Sequence, residues 1–280
     1  MMNENSDLAK NINELRRLLK DVRPLVHCIT NPISINQCAN TILAAGARPI
    51  CAEHPKEAAE ITSSAGAVML NLGNITDVRM ESMRISANEA RKNGIRFVLD
   101  ICGAACLKNR RLYAENMIKA FHPTVVKGNY SEIKALYQKD YQSSGVDADS
   151  SLMIEEIAEI AKKLAEEINK AATEKSYKTT ILVSGKTDIV TDGENICFVK
   201  NGTPQLANIT GTGCMQGALC AAFLSVADGF DAAVAASAMF GICGELSETD
   251  KGSGTFQVNL LDNLSTIKDE DIVNRIKTES

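Results

Sequence analysis

The segment Asn208-Ile209-Thr210-Gly211-Thr212-Gly213-Cys214-Met215 holds the residue types an anion site needs. Glycines let the backbone turn with successive N–H groups facing one way, and a helix starting just behind them adds the partial positive charge of its N-terminus. Together these suit a phosphoryl group. Cys214 falls in the first turn of that helix, where the same dipole lowers a thiol's pKa and makes it a candidate base. Read alone, the segment fits equally well an ordinary loop and cap, with Cys214 as a small core residue. It is not a P-loop, because no Lys-Ser/Thr follows the glycines, and no G-x-G-x-x-G follows a strand.

Ligands of an open parallel sheet bind at the carboxyl ends of its strands. Five apolar runs of this chain end in polar residues: Thr30-Asn31, Asn71 with Gly73-Asn74, Asp100, Lys127-Gly128-Asn129, and Ser184-Gly185. They describe a rim with one carboxylate, one cation and several small donors. Asp100 also suits a helix N-cap, and Glu132, behind Ser131, suits the first turn of a helix. His27, His54 and His122 lack metal-ligand spacing, and Cys102 with Cys106 is not a C-x-x-C pair, so nothing points to zinc.

The elements that must position these residues alternate. Strands are expected at Leu25–Ile29, Pro49–Ala52, Ala67–Leu72, Ile95–Asp100, Thr124–Lys127, Thr179–Ser184, Thr187–Thr191 and Ile196–Val199. Helical patterns fall at about 6–20, 34–45, 56–64, 77–93, 110–120, 131–141, 150–175, 213–227, 231–248 and 255–266. This alternation predicts an α/β protein with a mostly parallel sheet between helices. The runs at 187–191 and 196–199, with Asp192-Gly193 between them, predict a hairpin at a sheet edge. Lys139–Ser151 reads as a surface loop. Glu155, Glu156, Glu159, Glu166 and Glu167 read as the solvated face of a long helix.

Composition narrows the function classes. The chain has 280 residues, is 45% apolar and carries a net charge of −5, so nucleic acid is not the expected partner. Nine cysteines with no apolar leader in front of them predict free thiols and a cytoplasmic setting. The stretch 201–244 carries only Asp228 and Asp231 as charges, but glycines break it into two halves each shorter than a bilayer needs. Two buried helices, not a membrane span, are expected there.

Seven ordered blocks carry a family resemblance: VHCITNPISINQCANTILAAGARPI (26–50), AVMLNLGNIT (67–76), VLDICGAA (98–105), VVKGNYSEIKAL (125–136), VSGKTDIVTDG (183–193), NITGTGCM (208–215) and GSGTFQVNLLDNL (252–264). With these the chain resembles the hydroxyethylthiazole kinase family of the ribokinase-like superfamily. The resemblance implies a three-layer α/β/α ribokinase-like fold with a mostly parallel central sheet, formed by a single domain over residues 1–280. It implies transfer of the γ-phosphoryl of ATP to the primary hydroxyl of 4-methyl-5-(2-hydroxyethyl)thiazole, giving the thiazole phosphate used in thiamine diphosphate biosynthesis or salvage. Cys214 matches the family's catalytic cysteine, where most of the superfamily has aspartate, and Gly211 to Cys214 would form the anion hole. Asp100 and Glu132 belong by resemblance to the Mg²⁺–triphosphate neighbourhood, with contact through water. Lys127 stands where an arginine usually touches ATP, Ser184 replaces a threonine at the second nucleotide contact, and Gly213 lies beside the nucleotide.

On the substrate side the resemblance implies Gly211, Asn31 with Asn36 and Asn40, and Cys51, which stands in place of a methionine that meets the thiazole. Ile101 replaces a proline in Asp100-Ile101-Cys102-Gly103 and is expected to loosen that loop. The family forms trimers, so a homotrimer is expected. Two other readings remain open: a kinase of another small heteroaromatic alcohol, such as a hydroxymethylpyrimidine or a pyridoxal-like compound, and a non-catalytic thiazole- or nucleotide-binding regulator.

Overall fold

The structure is a computed structural model that describes residues 2–143, 152–172 and 178–280. Among these residues nine strands form one sheet: β1 (Leu25–Ile29), β2 (Arg48–Ile50), β3 (Ala67–Asn71), β4 (Arg96–Asp100), β5 (Val125–Asn129), β6 (Thr180–Ser184), β7 (Asp188–Thr191), β8 (Ile196–Val199) and β9 (Thr278–Glu279), in the order β2-β1-β3-β4-β5-β6-β7-β8-β9. The pairings from β2 to β6 are parallel, and those from β6 to β9 are antiparallel. The helices are α1 (Met2–Val22), α2 (Ile35–Ala45), α3 (Pro55–Ser64), α4 (Asp77–Lys92), α5 (Lys108–Phe121), α6 (Tyr130–Tyr137), α7 (Ile154–Ala171), α8 (Thr212–Leu224), α9 (Gly229–Leu246), α10 (Ser253–Thr266) and α11 (Asp269–Arg275), with a 3₁₀ turn at Pro204–Asn208.

The parallel strands are apolar on both faces because both faces are covered. Cys28, Met69, Val98, Val125 and Leu182 pack under α2, α8 and α9, with α1, α10 and α11 completing that layer. Their strand neighbours Ile29, Val68, Leu70, Leu99, Val126 and Ile181 pack under α4, α5, α6 and α7. The result is the expected α/β/α arrangement. α8 and α9 are apolar on every side, as helices within a core are. α9 has the 18 residues expected of the helix at 231–248 but starts two residues earlier. It is long and apolar enough to cross a membrane, yet 78% of it is buried within this fold.

Several boundaries differ from expectation. β2 ends at Ile50, which leaves Cys51 in the following loop. The helix expected over 131–141 spans Tyr130–Tyr137. The hairpin β7–β8 is present, but β8 is not the edge: β9 pairs with it, a strand of two residues that is too short to show a period. Residues 144–151 of the expected surface loop, and the outer ends of the helix expected at 150–175, lie outside the described residues.

His27 shows how polar groups are accommodated beneath α3. Its Nε2 donates to the carbonyl of Ala52 at 2.9 Å, and its Nδ1 accepts from the Thr62 hydroxyl at 2.9 Å. Burial lowers its pKa, and the bond to Ala52 and the charge of Glu57 only partly oppose this. The unfolded chain therefore binds the proton more readily. Stability is full above about pH 6.5, the unfolded value, and declines as pH falls toward the folded one. His27→Gln is expected to flatten part of this slope in denaturant titrations between about pH 7 and pH 5. An unchanged slope would remove His27 as its source.

Candidate active site

The first turn of α8 is built by Gly211, which takes φ +86° as its N-cap. A Cβ there would lie 3.0 Å from Cβ of Ser34 at the start of α2, so both the conformation and the space call for glycine. The first ladder bond runs from Met215 N to Gly211 O at 2.9 Å. The N–H groups of Thr212, Gly213 and Cys214 thus precede the ladder and have no partner within the helix. The Thr212 hydroxyl pins the approach by donating to the carbonyls of Leu206 at 3.1 Å and Ile209 at 3.3 Å. Gly211→Ala is expected to cost about 1–2 kcal/mol from the left-handed backbone, read as a lower unfolding free energy in urea. A neutral substitution would show that the turn relaxes.

Cys214 is 8% exposed, and two asparagines aim at it. Nδ2 of Asn71 reaches its Sγ at 3.3 Å and Nδ2 of Asn31 at 3.5 Å. Each amide is turned that way by backbone donors on its oxygen: Ile33 N and Ser34 N hold Asn31 Oδ1 at 3.1 and 3.2 Å, and Gly73 N holds Asn71 Oδ1 at 2.8 Å. Asn31 also donates to Asn71 Oδ1 at 3.0 Å. The Cys214 thiol is held down to about 7, chiefly by a hydrogen bond from Cys102, with Ser34 and the Lys127 ammonium assisting and burial and Asp100 opposing. The same bond, with burial, pushes the Cys102 thiol up.

Asp100 and Lys127 are register partners on β4 and β5, so their side chains share the face beneath α8. Lys127 Nζ lies 3.3 Å from Asp100 Oδ2, and each side chain is 3% exposed. Burial alone would lower the lysine, but Asp100, Cys214 and Glu132 outweigh it and keep the ammonium charged. Glycines let α8 settle over this pair. A Cβ on Gly217 would meet Met69 Cε at 3.0 Å, Asp100 Oδ2 at 3.2 Å and Lys127 Cδ at 3.3 Å, and one on Gly213 would lie 3.6 Å from Lys127 Nζ.

Glu132 forms a capping box with Asn129. Its Oε2 accepts the N–H of Asn129 at 2.7 Å, and its Oε1 accepts that of Gly103 at 2.6 Å. The carboxylate joins the loop after β4 to the turn after β5. Burial, then the nearby Asp100 charge, push it up to about 7. The loop beside Asp100 is not loosened by Ile101. That side chain is fully buried, and a Cβ on Gly128 would come within 2.9 Å of it. The loop is also tied by Cys102 N to Asp100 Oδ1 at 3.2 Å. Ser184, at the end of β6, turns its hydroxyl toward the carbonyl of Gly128 at 3.5 Å.

Asn31, Asp100, Lys127, Gly211, Gly213 and Cys214 therefore meet at one end of the sheet, with Glu132 at their border through Gly103. Lys127 faces the α8 turn and Asp100. Ser184 lies two strands from Asp100, and Cys51 sits farther off. The half-buried Cys51 shares a thiol hydrogen bond with Cys28, which bonds in turn to Cys38. From Cys38 the contacts pass to Thr30 at 3.9 Å and on to Ser34 at 3.4 Å. Asn36 and Asn40 bond each other on α2 instead of entering the site. The reading of the residues as a sequence missed Cys102 and Ser34 as partners of the thiol. No spacing signals either one, because the turns after β1 and β4 bring them there. Among the described residues no group of three or more His, Cys, Asp or Glu could hold a metal. One or two carboxylates beside an anion cradle do fit Mg²⁺, which keeps its waters and takes its remaining ligands from phosphates.

Comparison with known proteins gives a consistent picture. The model of the hydroxyethylthiazole kinase family matches residues 16–270. A hydroxyethylthiazole kinase 2 of Clostridium botulinum (strain Hall) is 43% identical over 272 residues, 95% of this chain and 99% of the relative. A hydroxyethylthiazole kinase of Thermoanaerobacter is 37% identical over 95% of this chain and 98% of its own length. The solved hydroxyethylthiazole kinase protein of Pyrococcus horikoshii superposes with a TM-score of 0.85 at 34% identity, covering 96% of this chain and 98% of that one. A Staphylococcus aureus pyridoxal kinase in complex with AMP-PCP and pyridoxal shares the fold, with a TM-score of 0.60 at 13% identity over 91% of this chain and 97% of its own. The chain belongs to the hydroxyethylthiazole kinase family and has the ribokinase-like fold of these enzymes.

Proposed function

We propose that the chain transfers the γ-phosphoryl of ATP to the primary hydroxyl of 4-methyl-5-(2-hydroxyethyl)thiazole, with Cys214 as the base and the turn Gly211–Cys214 as the anion hole. The observation that carries this is one geometry: a buried thiol in the first turn of α8, aimed at by two amides, with the Lys127 ammonium beside Gly213. Phosphoryl transfer asks a protein mainly for positioning and for stabilisation of charge on the equatorial oxygens. The N–H groups of Thr212, Gly213 and Cys214 supply fixed dipoles for those oxygens, and Lys127 supplies a full charge. Asp100 keeps Lys127 ionised and turned toward the turn. The attacking hydroxyl becomes acidic late in a loose transition state, so a thiolate titrating near neutrality is an adequate acceptor of its proton. Asn31 and Asn71 orient Sγ and stabilise the thiolate by donating to it.

Asp100, with Glu132 behind it, would hold the Mg²⁺ of the nucleotide through water, and that ion supplies charge neutralisation across the phosphates. Ser184 is read as a nucleotide contact and Cys51 as lining the thiazole side. Residues 1–280 are read as one domain acting as a cytoplasmic homotrimer that feeds thiazole phosphate into thiamine biosynthesis; family membership supports this. A coupled assay with ATP, Mg²⁺ and the thiazole alcohol tests the reaction. ADP release dependent on the alcohol is expected, and release no higher than with ATP and Mg²⁺ alone would sink the assignment. Cys51 in place of a bulkier methionine motivates a second substrate reading. Faster turnover of a pyrimidine or pyridine alcohol than of the thiazole would replace the first.

A further inference from the structure

Asp188 opens β7, and its carboxylate is buried although the reaction described above gives it no task. Its Oδ1 accepts the N–H of Gly185 at 2.9 Å, and its Oδ2 accepts Nε2 of Gln216. The Ser237 hydroxyl on α9 also bonds to Asp188 and lies 3.3 Å from the same Gln216 nitrogen. Gly185 directly follows Ser184, and Gln216 lies two residues beyond Cys214. One carboxylate thus spans the loop at the end of β6 and the first turns of α8.

The loop it holds has little freedom elsewhere. A Cβ on Gly185 would lie 2.4 Å from the Tyr130 ring, and the Tyr130 hydroxyl donates to the carbonyl of Thr187 at 2.6 Å. The position calls for a group that only accepts, with two oxygens for the donors of Gly185, Gln216 and Ser237. A carboxylate meets that need, and an amide, with one oxygen, does not.

We infer that Asp188 and Gln216 form a positioning pair that sets the separation between the nucleotide loop at Ser184-Gly185 and the phosphoryl-binding turn at Gly213-Cys214. The inference rests on the reading of Ser184 and Cys214 given above. It makes the pair responsible for alignment of the triphosphate and leaves the alcohol pocket untouched. A displacement of the loop of a fraction of an ångström suffices, because transfer rates fall steeply with misplacement.

The test uses the full chain carrying Asp188→Asn, and the reciprocal double variant Asp188→Asn/Gln216→Glu. In the double variant the new amide at 188 keeps an oxygen for Gly185 and donates to the new carboxylate at 216, so the pair is rebuilt with its polarity reversed and its net charge unchanged. The single variant is expected to lose roughly tenfold in kcat and to raise KM for ATP several-fold, with KM for the thiazole alcohol held within about twofold. The double variant is expected to recover most of the kcat. Wild-type constants in folded Asp188→Asn, or a loss that follows the thermal midpoint without rescue, would overturn the inference. Should Asp188→Asn fail to fold, Gln216→Met removes the other half of the pair and is expected to give the same split. Should the wild type bind ATP calorimetrically but turn over no thiazole, the substrate reading fails by itself. ATP affinity of Asp188→Asn then decides: several-fold weakening supports the pair and an unchanged value overturns it. Absence of ATP binding in the wild type overturns both.

Discussion

Cys214→Ala is expected to lower kcat by about 10²–10⁴-fold while KM for ATP stays within about twofold. The split follows from what the thiol touches. Its neighbours are the amides of Asn31 and Asn71, whereas the backbone N–H groups that would bind the phosphates survive the substitution. The variant keeps Gly211, Gly213 and the helix, so nucleotide binding is retained and proton acceptance is lost. The cavity left is small, and the thermal midpoint is expected to change little. Steady-state kinetics decide the matter: a variant as fast as the parent would remove Cys214 from the mechanism, and a loss confined to KM would make it a binding residue.

Lys127→Met is expected to destabilise the fold by about 3–5 kcal/mol, the usual cost of leaving one member of a buried ion pair uncompensated. Both side chains of the pair are 3% exposed, so solvent does little to screen Asp100 once the ammonium is gone. A methionine fills similar volume, which isolates charge from packing. Adding Asp100→Asn is expected to recover most of the stability, since the stranded charge disappears, while activity stays low in both variants. Urea titrations of the two singles and the double give the coupling directly. Additive losses would show that the pair is not coupled in the folded state. The same lysine faces the helix turn, so kcat falls as well, which separates it from a purely structural cation.

The parts of the site legible in the sequence are those written locally. The glycine pair before a charge-free helix predicts both the left-handed turn at Gly211 and the place of Cys214 in the first turn of α8. Polar residues closing apolar runs predict the rim, because strand ends in a parallel sheet line up, and Asn31, Asn71, Asp100 and Lys127 do meet there. What is hidden depends on contacts distant in sequence. Cys102 reaches Cys214 through the turn after β4, held by its N–H on Asp100 Oδ1. Glu132 reads as a capping residue and is one, yet its second oxygen holds Gly103, which no spacing reveals. Asp188 resembles any charge at the start of a short strand until Gln216 appears beside it. The strand β9 has two residues and no pattern to read.

The two layers of the sandwich draw on very different stretches of the chain. The buried cluster under α4 to α7 uses residues from Ile29 to Ile189, whereas the cluster under α8 and α9 runs from Ala9 to Ile276. α1 is also fastened to the far end of the chain, by Arg16 to Asp269 at 2.9 Å and by Thr278 to Asn5. The residues of the first cluster are all present once about two thirds of the 280 have been made, whereas those of the second are complete only at Ile276. Until then α1 lacks its partners and one face of the sheet is open. The rim residues Asn31, Asn71, Asp100 and Lys127 all precede in the chain the turn that carries Cys214. The two halves of the candidate site thus sit on either side of this divide, and the open apolar face is what a chaperone has most to protect.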